Sequence, residues 1–177
     1  MTSTTLVLGL GNTLLGDEGV GVHAVRHVRQ QLPQIAPELE SRLELLDGGT
    51  LSFTLAGAIE DSTHLIVIDA SRLDAEPGTV RVFEGEAMDQ FLGTGKCSSV
   101  HEVSLLDLLA VATLSGHLPQ RRALIGVQPE YIDWSDTPSP SVQASIPLVC
   151  EQVLELSRRW TATVHDMREP IDAGARP

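Results

Sequence analysis

Hydrophobic and polar positions along the chain fall into two periods. Leu6-Val7-Leu8, HLIVIDA at 64–70 and RALIGVQ at 122–128 are short, nearly continuous apolar runs. Such runs suit parallel strands covered on both faces. Leu43 to Leu46 predicts a further strand, stopped by Asp47-Gly48-Gly49, and the alternation of GTVRVFE at 78–84 predicts an edge strand or hairpin arm. Helical spacing appears between these runs. Val22, Val25, Val28 and Leu32 predict a helix over 18–32, closed by Pro33 and Pro37. Thr50 is a suitable N-cap for a helix containing Leu51, Leu55 and Ile59. Val103 to Leu114 reads as a leucine-rich helix, and Val142, Ile146, Val149, Val153 and Leu156 mark one face of a long one. Residues 85–100 and 129–141 are polar, rich in glycine or proline, and read as loops.

The resulting order, β-α-β-α-β-β-α-β-α, predicts an α/β fold. The expected form is a three-layer sandwich: a mostly parallel twisted sheet of about five strands, flanked by helices on both faces. One domain is expected over 1–160, followed by a polar tail at 161–177. In such sheets ligands sit outside the carboxyl ends of the strands, so the polar residues that follow each strand are the candidates for chemistry.

Composition narrows the function classes. With 177 residues the chain can bury a core without staples. Its net charge of −12 lacks the basic footprint of a nucleic-acid binder; the charge suits solubility, a cation or a basic partner. No apolar run is long enough to span a membrane, and no signal peptide is read at the N-terminus. The two cysteines, Cys97 and Cys150, form no CxxC, so a reducing cytoplasm is expected.

The first strand leads into GLGNTLLGDEGVG at 9–21. A dinucleotide GxGxxG would need glycine at Leu14, and a phosphate-binding GxxxxGK would need lysine at Asp17. The acids reverse the sign of the ligand. Asp17 suits a helix cap, whereas Glu18 suits either a helix start or a ligand. Asp47 is explained by an ordinary Asp-Gly-Gly turn. Asp69 ends the buried HLIVIDA run, where a carboxylate is costly unless paired or ligating. His101 is either a surface residue or a hydrogen-bonder at the start of the next helix. His23 and His27 stand four apart without the Glu of HExxH, and read as solvated residues. Glu18, Asp69 and His101 together offer two oxygens and a nitrogen, a set suited to nickel, zinc or iron with positions left open. Neither a GxSxG nor a cysteine with a placed histidine supplies a nucleophile.

At these residues the chain resembles the hydrogenase maturation proteases, which process the large subunit of nickel-iron hydrogenases. The matching stretches are LVLGLGNTLLGDEGVGV, LLDGGT, LIVIDA, SVHEVSLLDLL and LIGVQPE, over roughly residues 5–158. The resemblance implies an aspartic-type endopeptidase that cleaves a C-terminal extension from the nickel-loaded precursor. It implies nickel supplied by that precursor and held by Glu18, Asp69 and His101, with other divalent ions possible in vitro. It further implies a functional Asp47, with Gly48 and Gly49 near the substrate. The precursor is the expected partner, and a monomer without nucleic acid or membrane is expected. A non-catalytic nickel-sensing chaperone or checkpoint for the same precursor uses the same triad and is the alternative; a nucleotide-binding oxidoreductase is disfavoured by the broken glycine motif. The loops at 85–100 and 129–141 are the expected specificity elements, with Trp134 a candidate anchor of its own loop.

Overall fold

A computed structural model describes residues 4–50, 52–95 and 104–166. His101, Cys97 and Leu51 lie outside them. The elements run β1 (Thr5–Leu10), α1 (Val20–Ile35), β2 (Leu43–Gly49), α2 (Ala56–Asp61), β3 (His64–Ala70), β4 (Val80–Glu84), α3 (Glu86–Leu92), α4 (Leu105–Leu114), β5 (Arg121–Val127) and α5 (Pro140–Asp166). They form one five-stranded sheet in the order β2-β1-β3-β5-β4. β1, β2, β3 and β5 are parallel, and β4 runs antiparallel to β5 at the edge.

Side-chain alternation divides the core into two layers. Val7, Ile66 and Ile125 face Val25 of α1 and Val149 of α5. Leu6, Leu8, Leu65 and Leu124 face Ile59 of α2, Met88 of α3 and Leu108 of α4. Every residue of β1 and β3 is buried, because both strands are covered on both faces. The three-layer α/β/α arrangement agrees with the sequence pattern. Among the described residues no helix is long and apolar enough to cross a membrane.

Local boundaries differ from the sequence reading for identifiable reasons. Glu18 sits in a 3-10 turn, Gly16–Gly19, and α1 begins only at Val20. The helix continues through Pro33 to Ile35, because a proline in the last turn removes a single bond; Pro37 then starts a separate 3-10 turn. β2 does not stop before Asp47 but carries Asp47-Gly48-Gly49 to its end, with a bulge where Gly9 pairs Asp47 and Leu10 pairs Gly49. Ser52, not Thr50, caps the next segment, accepting from Thr54 N–H at 3.3 Å. The stretch read as a loop at 85–100 contains α3, which buries Met88 and Leu92 at i, i+4 and stacks Phe91 on Phe83. Ser104 and Asp107 form a capping box that starts α4. α5 reaches Asp166, past Trp160.

Candidate active site at the carboxyl end of the sheet

From β1 the chain crosses to β2 on one side and then to β3 on the other. The carboxyl ends of β1 and β3 therefore flank the topological switch point, where open α/β sheets bind ligands. Two close approaches fix the geometry. Gly11 has φ +121, and a Cβ there would lie 1.8 Å from the Glu18 carbonyl oxygen. Gly21, in the first turn of α1, presses against β3, and a Cβ there would lie 2.2 Å from the Ile68 carbonyl oxygen. Backbone thus meets backbone, and the acidic turn is drawn down beside the end of β3.

Glu18 and Asp69 are both buried there. Asn12 N–H donates a short hydrogen bond to Glu18 Oε2. Asp69 Oδ1 is buried with no hydrogen-bond partner among the described residues. Burial, then the Glu18 charge, push the Asp69 carboxyl up to about 8, against a smaller opposing pull from the Ala70 backbone hydrogen bond. Two buried acids whose charges repel are costly in an empty site and favourable around a cation. Alternation places Asp69 on the sheet face of Leu65 and Val67, which α4 covers, and His101 precedes α4 in sequence. The described residues hold no cluster of three metal-ligating side chains, and the third expected member, His101, lies outside them.

Asp47 stands on a different wall. It faces α1, where Arg26 Nη2 reaches its Oδ2 at 3.1 Å and the Gly49 N–H donates to its Oδ1 at 3.1 Å. A cavity of about 360 Å³ opens beside this pair, lined by Asn12, Thr13, Val22, Arg26, Asp47 and Thr50 among others. Asn12 links the two walls, since its N–H holds Glu18 while the residue lines the cavity. The Gly49 carbonyl accepts from Gly11 N–H at 2.8 Å, so both Gly49 backbone groups are engaged within the fold. Gly48 serves packing, because a Cβ there would come within 2.7 Å of Leu8 Cδ1.

Other sequence expectations change. Asp17 caps no helix of its own: it is fully buried and accepts hydrogen bonds from Glu130, Tyr131 and Ser139. His23 is only partly solvated: the residue is half-buried, its Nε2 is buried without a hydrogen-bond partner among the described residues, and burial and Arg26 hold its pKa down against Asp47. Cys150 is buried and free, and burial, then Glu151, raise its thiol pKa, which fits a structural rather than a reactive cysteine. Arg26 is inconspicuous in the sequence. Its only signal is helical spacing: Val22, Arg26 and Arg29 share the side of α1 toward β2, where Arg29 Nη2 donates to the Leu45 carbonyl at 2.6 Å.

The family model for hydrogenase maturation protease matches residues 22–156. The chain belongs to the hydrogenase maturation protease family. Among curated members of that family, the hydrogenase expression/formation protein HupD of Rhizobium leguminosarum bv. viciae is 37% identical over 160 residues, covering 90% of this chain and 76% of the relative. The hydrogenase 2 maturation protease of Escherichia coli K12 is 38% identical over 155 residues, covering 86% of this chain and 90% of its own. A solved structure, the hydrogenase maturating endopeptidase HybD from E. coli, superposes with a TM-score of 0.76 at 34% identity, over 88% of this chain and 93% of that one. Family membership stands in place of the nucleotide-binding alternative, in line with the acids that replace the phosphate-binding residues.

Proposed function

We propose that this chain is the endopeptidase that removes the C-terminal extension from the nickel-loaded precursor of a nickel-iron hydrogenase large subunit. The observation that carries this reading is the buried Asp69 Oδ1, without a partner among the described residues and beside the Glu18 charge. That arrangement fits a divalent cation arriving inside the substrate, with His101 as the third ligand. Bound there, the nickel would polarise the scissile carbonyl and mark the precursor as loaded.

The protein's own residues do the rest. Asn12 N–H orients Glu18, and Asp69 gives up the proton it holds below pH about 8 when it ligates. Arg26 holds the Asp47 side chain at the cavity wall, where the pair positions the peptide next to the metal-binding acids. The site needs no buried thiol, and Cys150 takes no part.

The test is to mix the purified protein with precursor, with and without nickel, and to weigh the large subunit by mass spectrometry. Loss of a C-terminal peptide only from nickel-loaded precursor is expected, and no loss with Asp69→Asn. Tight binding of loaded precursor without any cut would replace this reading with the chaperone or checkpoint.

A further inference from the structure

The loop between β5 and α5 carries three exposed apolar side chains, Tyr131, Ile132 and Trp134. It lies against the turn that bears Glu18, where Leu14 is exposed as well. The contact is a short ladder. Leu15 bridges to Ser135, Gly16 N–H donates to the Ser135 carbonyl at 2.9 Å, and Ser135 N–H donates to the Leu14 carbonyl at 3.1 Å. Tyr131 closes over Gly16, its Cε2 being 3.6 Å from where a Cβ would stand. The chain has two tryptophans: Trp160 is 3% exposed, whereas Trp134 is 79% exposed.

Looseness does not account for that exposure. Asp17, fully buried, fastens both ends of the loop. Its Oδ2 accepts from Glu130 N–H at 2.8 Å, Tyr131 N–H at 3.2 Å and Ser139 Oγ at 2.9 Å, and its Oδ1 accepts from Ser139 N–H at 2.6 Å. A fixed loop that keeps an indole in water forgoes the burial it would otherwise gain. Exposed apolar side chains gathered on one fixed loop and the turn it pairs with fit an interaction site. Exposed Glu130, Asp133 and Asp136 lie on the same loop and give the patch an acidic rim.

We propose that Leu14, Tyr131, Ile132 and Trp134 form the docking surface for the hydrogenase precursor, which meets them with an apolar patch rimmed by lysine and arginine. Asp17 is the positioning residue that sets this surface relative to Glu18, its neighbour in the chain. The inference rests on the proposed function. Trp134 supplies a rigid aromatic anchor of the kind that dominates interface energetics. The Asp17 hydrogen bonds order the loop before the partner arrives, which lowers the entropic cost of binding. The acidic rim speeds encounter in a salt-dependent way.

The experiment measures binding of nickel-loaded precursor by calorimetry and cleavage by mass spectrometry, for the wild type, Trp134→Ala, Asp17→Asn and the double variant. Trp134→Ala is expected to raise both Kd and KM by about tenfold or more, with kcat changed by less than about twofold. Asp17→Asn is expected to raise KM in the same way, and the double variant to show less than the product of the two effects. Wild-type binding weakens as salt rises. Leu114→Ala, at the 89% exposed end of α4, is the control expected to change nothing. Equal affinity of wild type and Trp134→Ala overturns the proposal, and because Trp134 is a surface residue this comparison stands even if Asp17→Asn fails to fold. Trp134-dependent binding without peptide release supports the docking surface while overturning the cleavage reading. Absence of wild-type binding to every precursor overturns both.

Discussion

Asp17 and Asp69 are both buried at the carboxyl end of the sheet, and the fold provides for them in opposite ways. Asp17 receives four hydrogen bonds from across the chain, and its charge is met by oriented N–H and O–H groups. Asp69 has an oxygen with no partner among the described residues, and its second neighbour of note is another acid, Glu18. Burial alone therefore does not mark a functional carboxylate. The mark is burial with one carboxylate oxygen left without a donor, because the ionised form is then unfavourable and the acid keeps a proton that an incoming cation can displace.

The comparison can be broken most directly through activity. Asp69→Asn and Glu18→Gln are expected to lower precursor cleavage by at least about 10³-fold, some 4 kcal/mol of barrier, while circular dichroism shows a folded protein. Cleavage at the wild-type rate would place Asp69 in the same structural class as Asp17. The converse variant, Asp17→Ala, strands four donors and is expected to cost about 3 kcal/mol or more of stability in urea denaturation. Asp69→Ala, by contrast, should cost far less.

The pH dependence sharpens the contrast. Asp69 titrates near 8 in the fold, against 3.8 ordinarily. The folded state thus holds a proton that the unfolded state releases. The resulting stability is complete below pH about 4 and is lost as the pH rises through about 8. Thermal melts without metal should therefore fall between pH 5 and 8, and Asp69→Asn should flatten that fall and raise Tm by roughly 5 °C at pH 8. A divalent ion such as nickel should restore Tm at pH 8 in the wild type and not in Asp69→Asn. The smallest effect belongs to Arg26→Ala: its pair with Asp47 is solvent-exposed and contributes roughly 0.5 kcal/mol to stability, so a larger fall in kcat/KM than in Tm would show that the pair acts on the peptide.

The sequence made the layers legible because HLIVIDA, Leu6 to Leu8 and RALIGVQ are buried on both faces, and burial writes itself as unbroken apolar runs. The acids were legible as candidates because each follows such a run. What separated Asp17 from Glu18 was not, since the donors to Asp17 come from residues 130, 131 and 139, far along the chain. Helix α3 was hidden by the glycines around it, Gly85, Gly93 and Gly95, which read as loop although Met88 and Leu92 keep helical spacing. Arg26 was hidden for a related reason: its role depends on β2 carrying Asp47 past the point where Asp-Gly-Gly suggested a stop.

The way Asp17 grips its loop has a consequence for how such proteins diversify. Three of its four donors are main-chain N–H groups, and the fourth is the Ser139 hydroxyl. None belongs to the side chains of residues 131–134. The grip on the two ends of the loop is thus independent of what those side chains are, although between them Asp133 Oδ1 accepts from Trp134 N–H at 2.7 Å. New side chains can be installed at 131, 132 and 134, by drift or by grafting from a relative, without loosening the ends of the loop or disturbing the acids next door.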